Sequence, residues 1–255
     1  MTQPPFPILW SFRNHNSGLL PKTEHFTTAN RPDINRSMTR SILSLLLATI
    51  ATYPVRSQVQ IPVKNLDMTI APKGIAFEGK VKTAVRWSDP SGEHVVILSE
   101  TGPYRSQKFK HESDGEDAEL FAHHFIVQSD TAVRMWKVYD YVSDCPLDLE
   151  ASFIKNAFRV TDLDGNGVAE IWLMYKLACR GDVSPSDMKI IMYQDKQKFA
   201  LRGQNKVKSG TDESGAEQYT GGECTFDPSF AKGPKEFKEF AQSLWDANLM
   251  EKWDE

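Results

Sequence analysis

Between Val63 and Leu201 the chain runs as short apolar stretches separated by turn residues, many of them rich in Val, Ile, Phe, Tyr and Trp. That pattern predicts strands. The stretches are Gly74–Phe77, Lys80–Trp87, His94–Ser99, Glu119–Gln128, Ala132–Tyr141, Ala157–Thr161, Glu170–Leu177, Met188–Tyr193 and Lys198–Arg202. Turn sequences at 89–92, 129–131, 162–167 and 194–197 lie between such runs, so an antiparallel meander is expected, forming sandwich-like or propeller-like sheets. Near the C-terminus the period changes from 2 to 3.6: Phe237, Phe240, Ala241, Leu244 and Trp245 fall on one helical face behind Pro234. The reading is a mainly β fold with one amphipathic helix over 234–250. Two polar stretches, 108–119 and 206–223, read as solvated loops. The segment 86–93 before VVIL faintly echoes 160–170 before IWLMY, as two copies of one hairpin unit would.

The longest uncharged apolar run, Ser41–Val55, follows Arg40. It is shorter than the roughly 18 residues a membrane span needs. Its length and flanks fit a secretory signal over 38–57, with Met38-Thr39-Arg40 as the n-region and cleavage after Ser57. Residues 1–37 then read as an upstream extension from a mis-assigned start, leaving 58–255 as one β-rich domain. The alternative is a buried core helix or an uncleaved anchor.

Of the 255 residues, 40% are apolar and 25% charged, with net charge −4. Those are ordinary globular proportions. Residues 1–57 hold six Lys or Arg and two acids, so the remainder carries net −8. An acidic chain without a basic block excludes nucleic acid as the main partner. Export also changes the meaning of the three cysteines, since an oxidising compartment allows Cys145 and Cys179 to pair and leaves Cys224 over. The alternative is three free thiols.

One segment carries a mechanism. Asp162, Asp164 and Asn166 stand at positions 1, 3 and 5 of a loop, Gly167 at 6, Val168 at 7 and Glu170 at 9. Carboxylate and amide oxygens at this spacing, with the Val168 carbonyl, wrap the chain around a hard cation such as Ca2+. Position 12 is Leu173 rather than Glu and the flanks are β-like, which disfavours an EF-hand. The loop resembles the calcium-binding hairpins of FG-GAP and integrin-type repeats. Without metal, the same residues make a polar hairpin turn.

A longer resemblance is carried by Ser143-Asp-Cys145-Pro146, the acidic loop, Ala169 to Lys176, Gly181 to Pro185, Met188 to Tyr193 and Lys198 to Gly203. Together these resemble an exported Bacteroidota family known as surface polysaccharide biosynthesis proteins. The resemblance implies a location in a Gram-negative envelope, periplasmic, outer-membrane associated or extracellular, and a glycan or envelope component as partner. It carries no catalytic residue.

Common hydrolase signatures (HExxH, GxSxG) are absent. His123 and His124, adjacent on a predicted strand, must face opposite ways, which argues against a shared metal. Asp114, Glu116, Asp117 and Glu119 supply the carboxylates a glycosidase would need, so a carbohydrate-active hydrolase is the alternative function. Trp87, Trp136 and Trp172 are read as core rather than as a sugar-stacking row.

Overall fold

The computed structural model describes residues 59–252, which lie within the compact unit Pro54–Glu255. The predicted extension 1–37 and signal 38–57 fall outside the described residues. In chain order the strands are β1 (Val59–Gln60), β2 (Lys64–Asn65), β3 (Lys80–Asp89), β4 (Gly92–Glu100), β5 (Glu116–Gln128), β6 (Thr131–Cys145) and β7 (Asp148–Phe153). They continue as β8 (Arg159–Asp162), β9 (Glu170–Arg180), β10 (Asp187–Gln194), β11 (Gln197–Gln204), β12 (Lys206–Thr211), β13 (Glu217–Gly221) and β14 (Cys224–Phe226), followed by helix α1 (Lys235–Ala247). The fold is mainly β, antiparallel, with one helix near the C-terminus, as the pattern predicts.

A five-stranded sheet in the order β2-β3-β4-β5-β6 faces a seven-stranded sheet in the order β1-β8-β9-β10-β11-β14, with β7 also paired to β9. Between them Val85, Val96, Leu120 and Val138 of the first sheet meet Val160, Ile171, Leu173 and Ile191 of the second. The period of 2 sends Trp172 and Met174 to the opposite face of β9, where they pack with Phe237, Ala241 and Trp245 of α1. Burial on both faces is why IWLMY reads as a continuous apolar run rather than an alternating one. Each such fully buried side chain contributes about 1.5 to 3 kcal/mol. Trp87, Trp136 and Trp172 are all buried, filling the core as expected.

The outer face of the five-stranded sheet is covered by the segment between β2 and β3. Leu66, Met68, Ile75 and Phe77 pack there against Val95, Ile97 and Phe125. The predicted strand Gly74–Phe77 is therefore not a strand. Gly74 sits at φ 84, where an added Cβ would lie 2.8 Å from the Ala132 carbonyl oxygen, so the chain turns onto the sheet instead of pairing along it.

Two polar segments depart from the reading as loops. Residues 206–223 form the hairpin β12–β13, closed by Asp212 accepting the N–H groups of Ser214 and Ala216 and by a Lys208–Glu217 ion pair. Its strands are mostly exposed, so no apolar alternation marks them. Strand β5 likewise starts at Glu116, inside the second polar segment, because Asp117 and Glu119 are buried with partners of their own. The helix is shorter than 234–250: Pro234 is its N-cap and Asn248 its C-cap. Beyond it, buried Glu251 takes an ion pair from Lys176 and hydrogen bonds from Asn205 and Arg180.

Cys145, ending β6, is joined to Cys179 of β9 with Cα atoms 5.6 Å apart, so the bridge ties one sheet to the other. Cys224 is a free, half-buried thiol. Among the described residues no helix is long and apolar enough to cross a membrane.

Candidate metal centre

The acidic loop joins β8 to β9 at one end of the seven-stranded sheet. Gly165 and Gly167 both adopt left-handed backbone, φ 67 and 82, which lets the chain reverse within a few residues. The side chains then bond back to the loop: Asp162 Oδ2 accepts the Gly167 N–H at 3.2 Å, Asp164 Oδ1 the Asn166 N–H at 3.2 Å, and Asn166 Oδ1 the Val168 N–H at 2.7 Å. Asn166 also donates through Nδ2 to Asp164. Asn166 and Val168 are thus tied into the turn.

Asp162, Asp164 and Glu170 are brought together, with ligand oxygens within 4.8 Å of one another. Calcium binds oxygen at 2.3–2.6 Å, so oxygens on opposite sides of one ion stand about 4.8 Å apart. The span fits. The buried Oδ1 of Asp162 has no hydrogen-bond partner, and the donors are all hard oxygens, the set that calcium takes.

Glu170 is wholly buried. Its Oε2 accepts from the Thr161 hydroxyl at 2.6 Å and the Leu163 N–H at 2.9 Å, and Thr161 is held in turn by the Trp172 indole N–H. Burial pushes the Glu170 carboxyl up to about 7; the charges of Asp164 and Asp162 add to the rise, against the hydrogen bonds from Thr161 and Leu163. A divalent cation would reverse that balance. Sequence reasoning missed Gln194, whose amide Nε2 donates to Asp164 Oδ2 at 3.1 Å and Glu170 Oε1 at 3.3 Å. It reaches them because β10 pairs with β9 in the register Gln194 to Glu170. No local signal in the chain marks it.

No protein-family model, no curated protein and no solved structure matches the chain.

The carboxylates weighed for a hydrolase are placed differently. Asp117 accepts the N–H groups of Ser106 and Asp144 and pairs with His111, while Glu119 accepts from Tyr104, Tyr139 and Lys108. Burial opposes the charge on each, but these bonds outweigh it and hold both carboxyls below their usual range. A glycosidase acid needs the reverse, a raised pKa and access to substrate. Asp117 and Glu119 latch the 101–115 loop to the sheet.

The two adjacent histidines do face opposite ways. His123 lies between Phe121 and Phe125, with Nε2 3.0 Å from Glu78, whereas His124 points into the sandwich, its Nε2 2.8 Å from Nδ1 of His94. The His94 partnership joins two strands 30 residues apart in sequence and was not visible before pairing.

Proposed function

We propose that the chain is an exported calcium-binding protein of the Gram-negative cell envelope with a non-enzymatic role in surface polysaccharide assembly or binding. The observation that carries the calcium reading is the convergence of Asp162, Asp164 and Glu170 beside a buried, unpartnered Asp162 oxygen. An ion there would neutralise three crowded acids and rigidify the β8–β9 hairpin. Export is supported by the apolar run 41–55 and by the Cys145–Cys179 bridge, since disulfides persist in oxidising compartments. The polysaccharide role rests on the sequence resemblance alone. A hydrolase is disfavoured by the burial and lowered pKa of Asp117 and Glu119.

The test is a thermal melt of the purified protein in calcium and in chelator, beside the double variant Asp162→Ala, Asp164→Ala. At a hundred times its dissociation constant, calcium adds about 2.7 kcal/mol to the stability of the folded state, read as a rise in Tm that the variant lacks. Equal melting in calcium and chelator, with no metal retained through purification, reduces the loop to a polar turn. Glycan arrays with the calcium-loaded protein then test the partner, binding without product release being the expected result.

A further inference from the structure

The two turns that echo each other in sequence sit together in space. A Cβ added to Gly167 would lie 3.5 Å from Cγ of Pro90 in the β3–β4 turn. Beside this contact is a cavity of about 340 Å3, with Ile126, Val168 and Ile171 in its wall, Asp89, His94 and His124 on its polar side, and exposed Asp195 also lining it. None of its lining residues is Lys or Arg.

The polar side is built as a chain of groups. Asp89 Oδ1 is 2.9 Å from His94 Nε2, and His94 Nδ1 is 2.8 Å from His124 Nε2. The two imidazoles are within 9° of parallel with centroids 5.1 Å apart, which together with the short N–N distance places them end to end; Trp87 lies parallel to both. Ser91 Oγ donates to the same Asp89 oxygen and approaches the same His94 nitrogen, so these residues do not form the Ser-His-Asp relay of a hydrolase, which needs the two ring nitrogens used separately. A carboxylate only accepts, so the proton of His94 sits on Nε2. With the pair uncharged, His94 Nδ1 accepts from His124 Nε2–H, and a lone pair is left on His124 Nδ1.

Two buried acceptors then stand without a partner, His124 Nδ1 and Asp89 Oδ2. The Asp89 side chain is 4% exposed and His124 is 3% exposed. Burial opposes the charge on Asp89, but Ser91 and His94 outweigh it and keep the carboxyl below its usual range. A buried carboxylate with an open oxygen, a neutral imidazole as its neighbour and no Lys or Arg in the cavity calls for a positively charged donor.

We propose that this cavity binds a small primary ammonium ion carried on a short alkyl body. An ammonium group has three donors and no acceptor, and one N–H donated to the open Asp89 oxygen would match both its acceptor and its charge, while the apolar wall takes the methylenes. An anion of the same size would face Asp89 and Asp195. An alcohol of the same length offers one donor and no charge.

The probe is n-butylammonium chloride, titrated into protein labelled with 15N at histidine, near neutral pH, against butan-1-ol, butyrate and sodium chloride. The expected result is saturable movement of the His94 and His124 ring nitrogens, with a Kd in the millimolar range and affinity roughly tenfold or more above that of butan-1-ol. Asp89→Asn should abolish it. Should that variant fail to fold, Ile126→Trp, which fills the wall and leaves the relay intact, should abolish it equally. Absence of saturation by butylammonium, or an equal response to butan-1-ol, overturns the proposal. So does a free-protein spectrum in which His94 is already the imidazolium, because Asp89 would then have its cation.

Discussion

Acidification is expected to destabilise the fold through His124, by of order 4 to 5 kcal/mol between pH 6.5 and about 3. Burial, reinforced by the neighbouring His94 and only partly opposed by Asp89, lowers the His124 pKa to about 3. The unfolded chain takes up this proton near its ordinary value of 6.5. Below 6.5 the unfolded state therefore binds more protons, and stability present above pH 6.5 is lost as pH falls toward 3, at about 1.4 kcal/mol per pH unit. His123, also buried and lowered, acts in the same direction.

Glu170 acts in the opposite direction in the metal-free protein. Its folded value of about 7 lies above its ordinary 4.5, so its contribution is full below 4.5 and is lost as pH rises through 7. Between pH 4.5 and 6.5 the Glu170 slope opposes that of His124, so the pH dependence of the native protein alone does not isolate the His124 contribution. The informative quantity is the difference in unfolding free energy between the native protein and His124→Phe, measured by urea titration at several pH values. That difference should shift against the native protein by about 1.4 kcal/mol for each pH unit of acidification below 6.5. A difference that stays constant from pH 6.5 to 4.5 would refute the assignment.

Reduction of the Cys145–Cys179 bridge is expected to cost about 3 to 4 kcal/mol, the chain-entropy value for a closed loop of this size. The sequence separation is 34 residues. In the oxidised unfolded chain the bridge holds β6 and β9 together; in the reduced chain that loop must be closed on every folding event. For a domain of this size the loss corresponds to a fall in Tm of about 10 °C. Melts with and without reductant, and of the double variant Cys145→Ala, Cys179→Ala, check it. Cys224→Ser should leave the oxidised melt within about 0.5 kcal/mol of the native value while preserving the response to reductant. A native melt indifferent to reductant would mean that no bridge forms.

Most of the paired core was legible from the chain. The strands at 80–89, 92–100, 187–194 and 197–204 extend the predicted runs by no more than two residues at either end. Their β-branched and aromatic residues bury on the sheet faces, and their turns carry Gly, Asp and Pro, so local preference and global fold agree. The helix was legible for the same reason: its apolar stripe fills the groove over β9 and β10. The hairpin β12–β13 was not, because Val207 alone in its strands is fully buried and most of the rest is exposed, so burial leaves no period in the sequence. Strand β7 was missed for a related reason, since its pairing partner β9 lies more than 20 residues further along the chain.

The candidate site divides along the same line. The oxygen-bearing residues of the loop and the two cysteines could be named from spacing and chemistry, because a turn of six residues is a local object. Which residues meet them was decided by strand register: Gln194 beside Glu170, Thr161 beneath it, His94 end to end with His124 across two strands. The burial that raises the Glu170 pKa and lowers that of His124 is likewise a property of two sheets closing on each other. By itself the sequence determined the β pattern, the amphipathic helix and the identity of the acidic loop, all of which follow from short-range periodicity and turn chemistry. Only the tertiary structure decided the partners, the desolvation and the cavity, because these depend on contacts between residues tens of positions apart that no local pattern encodes.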